Sequence, residues 1–79
     1  MKGGKEIIDA ICVQDRVPRR VLDGLDRTKG IVEARHECMR RLYETDIFSM
    51  AQIGRMMGGR DHTSVSHGVK KARERLDGR

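Results

Sequence analysis

At 79 residues the chain holds one domain with one modest core, which excludes a second, catalytic domain. Hydrophobic residues make up 37% and charged residues 37%, with no Trp, one Phe and one Tyr, so the core must be built from Ile, Val, Leu, Met and Ala, a mixture that favours packed helices over a sheet sandwich. The 17 Lys and Arg against 12 Asp and Glu leave a formal net charge of +5, which points to an acidic partner.

The positive excess is not spread evenly: acids and bases balance up to Asp26, and the whole surplus lies beyond it. Cys12 and Cys38 are far apart, each in an apolar-periodic segment, and are expected as reduced core residues. No stretch approaches the roughly 18 apolar residues of a membrane span, and the charged start MKGGKE has no apolar run behind it. A cytoplasmic protein without membrane partners is expected.

In chain order, Ile7, Ile8, Ala10 and Ile11 form a one-sided stripe that predicts a first helix from Lys5 to about Arg16. Pro18 fits the first turn of a short second helix with Val21 and Leu22 inward, ending near Gly24. Gly24 to Gly30 reads as a loop carrying Arg27 and Lys29. Ile31, Ala34, Cys38 and Leu42 recur at spacings of three and four and predict the longest helix, to about Thr45. Ser49 and Gln52 form a capping-box pattern ahead of Met50, Ile53, Met56 and Met57, which predicts a helix over 50–57. Gly58 and Gly59 end it, Asp61 caps the next, and Val65, Val69, Ala72 and Leu76 mark the buried face of a last helix.

A short helix, a glycine turn and a second helix, each with a narrow apolar face, is the layout of a helix-turn-helix, whose second helix enters the major groove of DNA. Helical geometry sets Thr63, His67 and Lys70 opposite the Val65/Val69/Leu76 stripe, with Ser64 and Lys71 beside them. These hydrogen-bonding side chains start at the helix N-terminus, where recognition helices usually touch bases. The string from Arg60 to His67 also concentrates acid, imidazole and hydroxyl groups, as a catalytic or metal cluster would. Geometry opposes that reading, since His62 and His67 stand about 140° apart around a helix and cannot share a metal as an i, i+4 pair does. So short a chain also lacks a deep water-excluding pocket. No enzyme activity, metal or cofactor is expected. A protein-interaction module, docking an initiator or replisome partner through the Met50/Met56/Met57 face, stands as the alternative if those methionines are exposed.

The run from Ile53 to Val65, above all Gly58-Gly59-Arg60-Asp61-His62-Thr63-Ser64-Val65, followed by His67, closely resembles the signature of the C-terminal DNA-binding domain of DnaA, the bacterial replication initiator. The resemblance reaches back more weakly to about Ile7, so residues 1–79 read as a single domain of this type. It implies an all-α, Trp-repressor-like fold that binds duplex DNA at DnaA boxes of the TTATNCACA type.

By the same resemblance, Arg27 occupies the place of an arginine that enters the minor groove, while Asp61, His62, Thr63 and Ser64 match the base-reading group. The family's Pro-Arg-Gln is replaced by Ala34-Arg35-His36, which keeps the phosphate-binding Arg35, and Ser49-Met50-Ala51 stands where Ser-Leu-Pro is usual, with a backbone phosphate contact implied. In chemical terms, Asp61 suits a cytosine amino group, His62 a purine acceptor, and Thr63 a thymine methyl. Lys29, Arg35, Ser49, Met50, Arg55, Arg60, His67, Lys70 and Lys71 are then candidate phosphate contacts, which position the domain without specifying sequence. The chain has no G-x-x-x-x-G-K-[ST] loop and no room for a nucleotide-binding domain, so it cannot hydrolyse ATP or melt an origin by itself. The Met1 start and the loose fit before Ile7 favour a standalone box reader, phage- or plasmid-like, over a fragment of an initiator. Such a protein would bind as a monomer and compete with a full-length initiator.

Overall fold

Apolar periodicity places the helices, while caps and glycines set their ends. The computed structural model describes residues 3–78, and among them the helices are α1 Gly4–Asp15, α2 Arg19–Asp23, α3 Lys29–Glu44, α4 Met50–Met56 and α5 His62–Asp77. The fold is all-α, with no strand among the described residues. Pro18 lies just outside α2 as its N-cap, its carbonyl accepting from the Val21 and Leu22 amides at 3.0 Å each.

The longest helix, α3, begins two residues earlier than its apolar stripe, at Lys29, and takes Gly30 into its first turn. Glycine is poor in a helix interior but costs less near an end, and the turn before it is already ordered: the Asp26 carboxylate accepts from the Thr28 amide at 2.7 Å. Hydrogen bonds from Thr28 also hold the Asp26 carboxyl below its ordinary pKa. Helix α3 is the hub, packing against all four other helices.

The core joins Ile8 and Ile11 of α1, Leu22 of α2, Ala34, Cys38, Met39 and Leu42 of α3, Ile53 of α4, Met57 after it, and Val65 and Val69 of α5. Removing such packed aliphatic groups from water supplies most of the stability of a domain this small. Three expectations fail at the margins. Ala10 is exposed, Cys12 is only half-buried, and Leu76 is 49% exposed. Leu76 borders a surface pocket with Val17, Ile31 and Ala34 and does not fill it. Cys38 is fully buried and its thiol is pushed up to about 12 by desolvation, so it stays a neutral core group; both cysteines are free.

Helices α4 and α5 meet at a turn that only glycine permits. A Cβ on Gly54 would stand 1.9 Å from the Arg60 carbonyl oxygen, and the Gly54 carbonyl accepts from the Arg60 amide at 2.9 Å. Gly58 and Gly59 both have positive φ, at 85° and 78°, as the sequence predicts. A Cβ on Gly68 in α5 would meet Met39 Sδ at 2.2 Å. The crossing of α5 over α3 is therefore close enough to fix the position of α5. No helix among the described residues is long and apolar enough to cross a membrane.

Candidate nucleic-acid interface

The start of α5 is built to stay helical while facing solvent. Asp61 is its N-cap, one carboxylate oxygen accepting from the Ser64 amide at 2.9 Å, which satisfies a first-turn donor that has no partner within the helix. That hydrogen bond, aided by the neighbouring His62, holds the Asp61 carboxyl below its ordinary value, so the group is ionised at neutral pH. Asp61, His62, Thr63, Ser64 and His67 are all exposed. Lys70 extends the Thr63/His67 row by another turn, and Lys71 does the same for Ser64 and His67.

This edge forms one wall of a groove. Asp61, Thr63, Ser64 and His67 line it on the α5 side, Leu25 and Arg27 line it on the side of the α2–α3 loop, and Val32, His36 and Met39 of α3 lie between. The structure thus brings the loop arginine and the α5 group to a single groove, although their sequence positions are far apart. His62, exposed at the first turn of α5, is not part of the groove lining.

The cations divide into two sets. Arg27, Lys29, Arg55 and Lys70 are exposed and make no ion pair among the described residues. Lys71 has only a 3.8 Å contact with Glu74. Arg35 and Arg60 behave differently: both line the groove, but their guanidinium groups are also engaged inside the protein. Arg35 is 7% exposed; its guanidinium donates to the carbonyls of Leu22 at 2.8 Å, Asp26 at 3.1 Å and Val21 at 3.4 Å. Burial, and then the nearby charge of Arg60, lower its pKa from the ordinary value. Arg60 is partly buried and donates to the carbonyls of Asp23 at 3.0 Å, Met57 and Gly24. A physical reason is shared by both: a five-residue helix leaves most of its last carbonyls without amide partners, and the two guanidinium forks reach those of Leu22 and Asp23, and carbonyls nearby, from α3 and from the α4–α5 turn.

Ser49 and Gln52 form the expected capping box, the Ser49 hydroxyl accepting from the Gln52 amide at 3.1 Å and the Gln52 side chain accepting from the Ser49 amide at 2.8 Å. The Ser49 amide is therefore already engaged. The Met50 and Ala51 amides, in the first turn of α4, have no acceptor within the helix. Met57 is fully buried, and Met50 and Met56 pack against the core, which removes the exposed methionine face that a protein-docking module would need. Among the described residues no group of three or more His, Cys, Asp or Glu is placed to hold a metal ion.

Sequence reasoning missed Leu25, Val32 and His36 as groove residues. His36 is half-buried and meets the His67 ring edge-on, with centroids 6.0 Å apart. Burial first, then His67, Arg75, Arg35 and Lys71, push its pKa down. Gly68 carried the available signal: a glycine inside a helix marks a close approach, and its absent side chain would lie 3.1 Å from His36 Cδ2.

A glycine-locked pair of helices, the second presenting a capped polar N-terminus beside a loop cation, defines a helix-turn-helix DNA-binding domain. The chain belongs to the bacterial DnaA helix-turn-helix family, which it matches over residues 5–72. It is 41% identical over 70 residues to the chromosomal replication initiator protein DnaA of Thermomicrobium roseum, covering 89% of this chain and 15% of that protein. The DnaA protein of Roseiflexus castenholzii is 41% identical over 61 residues, 77% of this chain and 13% of its own length. That of Neisseria meningitidis serogroup B is 38% identical over 64 residues, 81% of this chain and 12% of its own. The chain thus spans only a small part of the length of these relatives.

Proposed function

We propose that the domain binds duplex DNA at DnaA-box-like sites, with α5 in the major groove and Arg27 in the adjoining minor groove. The observation that carries this reading is the shared groove of Arg27 with Asp61, Thr63 and Ser64. Asp61 accepts from a cytosine amino group through the carboxylate oxygen not engaged by Ser64; His62 and Thr63 contact a purine acceptor and a thymine methyl, and Ser64 hydrogen-bonds beside them. Arg27 reads the negative potential of a narrow A·T groove. Lys29, Arg55, His67, Lys70, Lys71 and the Ser49/Met50 end of α4 hold phosphates and set the register.

The relatives are named as chromosomal replication initiators, and box reading in replication initiation is the role that this likeness supports. In the same reading the domain occupies boxes as a monomer, without nucleotide, and competes with a full-length initiator for them. The deciding experiment is a titration of box and scrambled duplexes at several salt concentrations. Tighter binding to the box at every salt supports the reading, and equal binding to both overturns it. Addition of the domain to an initiator already on box DNA tests competition, and failure to displace it at any concentration would sink that part.

A further inference from the structure

Leu25 is 91% exposed, yet the loop that carries it is hydrogen-bonded on both sides of it. On one side of it the Gly24 carbonyl accepts from Arg60. On the other, the Asp26 carbonyl accepts from Arg35 at 3.1 Å, and the Asp26 carboxylate accepts from the Thr28 amide at 2.7 Å. The leucine is thus held out between two anchored carbonyls. So large an apolar side chain in water contributes nothing to the core, and hydrogen bonds on both sides of it reduce what a partner would have to order. It lines the same groove as Arg27, Thr63 and Ser64.

We propose that Leu25 is a DNA-contacting residue that packs against the deoxyribose walls of the A·T minor groove beside Arg27. The inference rests on the DNA-binding reading above. The chemistry of that groove suits the pair: its walls are sugar C–H groups, and at A·T pairs no amino group rises from its floor, whereas the guanine N2 amino group does so at G·C pairs. Apolar side chains are regularly used on minor-groove surfaces of this kind. Arg27 supplies attraction that weakens with salt; Leu25 supplies contact area that does not, because burying a hydrocarbon releases no counterion. Together they grip an A·T step by both charge and shape.

The test compares the wild-type domain with Leu25→Ala and Leu25→Lys on box duplex across a salt series, with thermal unfolding as a control for folding. Leu25→Ala should weaken box binding by about five- to tenfold, in keeping with removal of a leucine side chain that is partly buried against DNA. Its log-affinity against log-salt slope and its unfolding midpoint should match the wild type. Leu25→Lys should instead steepen the salt slope by about one unit, because the loop tip then neutralises a phosphate. Wild-type affinity in Leu25→Ala, or an unchanged slope in Leu25→Lys, overturns the inference while leaving the DNA-binding reading intact. A wild-type domain that binds no duplex overturns both.

Discussion

Arg27 and Arg35 border one groove, yet their guanidinium groups face opposite worlds. Arg35 is enclosed by the carbonyls of Val21, Leu22 and Asp26, whereas Arg27 is exposed and has no ion-pair partner among the described residues. A similar contrast separates Lys70, exposed and unpaired in the same sense, from Arg40 and Arg41, which are tied to Glu37 and Glu44 on α3. The hydrogen bonds from Arg40, and then from Arg41, hold the Glu37 carboxyl below its ordinary value. Net charge alone therefore says little about where an anion would bind. What matters is which cations the fold leaves uncommitted.

Substitutions should separate the two sets, and the largest effect belongs to the enclosed one. Arg35→Met leaves three loop and helix-end carbonyls without their charged donor, and is expected to cost about 2–3 kcal/mol of unfolding free energy in a denaturant titration. Arg27→Ala should stay within about 0.5 kcal/mol of wild type in the same titration. Equal destabilisation by both would abolish the distinction.

On DNA the order should reverse. Arg27→Ala, His62→Ala and Thr63→Ala should each lose about 1–3 kcal/mol of preference for box over scrambled duplex. For Arg27→Ala the loss should be greatest on an A·T-flanked box and small on a G·C-substituted one. Uniform weakening on all duplexes would assign these residues to the backbone.

Neutralising Arg55, Lys70 or Lys71 should produce a gentler result, weakening all duplexes alike and flattening the salt slope by about one unit for each phosphate no longer neutralised. A slope that does not move would show that the cation faces only solvent.

The smallest expected effect concerns His36, which is neither wholly enclosed nor free. Burial and the surrounding cations depress its folded-state pKa, so the unfolded chain binds a proton more readily. Its contribution to stability is then present above the ordinary histidine range near 6.5 and is lost as pH falls through that range towards the folded value. Denaturation midpoints measured from pH 8 to pH 5 should fall less steeply in His36→Gln than in wild type, and parallel curves would refute the assignment.

Much of this arrangement was legible because it rests on local chemistry. The Ser49/Gln52 box, the paired glycines and the Asp61 cap each involve residues within a turn of one another, and all three form as the sequence predicts. The order of the helices followed from apolar spacing in the same way. The internal contacts of Arg35 and Arg60 were not legible because their partners are backbone carbonyls, which carry no side-chain signature. Leu25 and His36 escaped notice for a related reason, since the groove they line exists only after the α2–α3 loop, α3 and α5 are brought together. Glycine offered a partial clue: a Cβ at Gly58 would lie 2.2 Å from the Asp23 carbonyl oxygen, which marks the same approach of the turn to the end of α2 that Arg60 makes.

The cap at Asp61 has a consequence for how such domains diversify. One carboxylate oxygen secures the helix start, and the other is the atom offered to a base edge in the function proposed above. Asparagine caps helices about as well as aspartate, but its carboxamide carries donors as well as an acceptor. Asp61→Asn would therefore alter the chemical question put to the base while leaving the helix start intact, with unfolding midpoint and base preference reporting the two effects separately. On the reading proposed above, one substitution at this position changes the group offered to the base and keeps the cap, a freedom denied at Gly54, where any side chain would meet the Arg60 carbonyl.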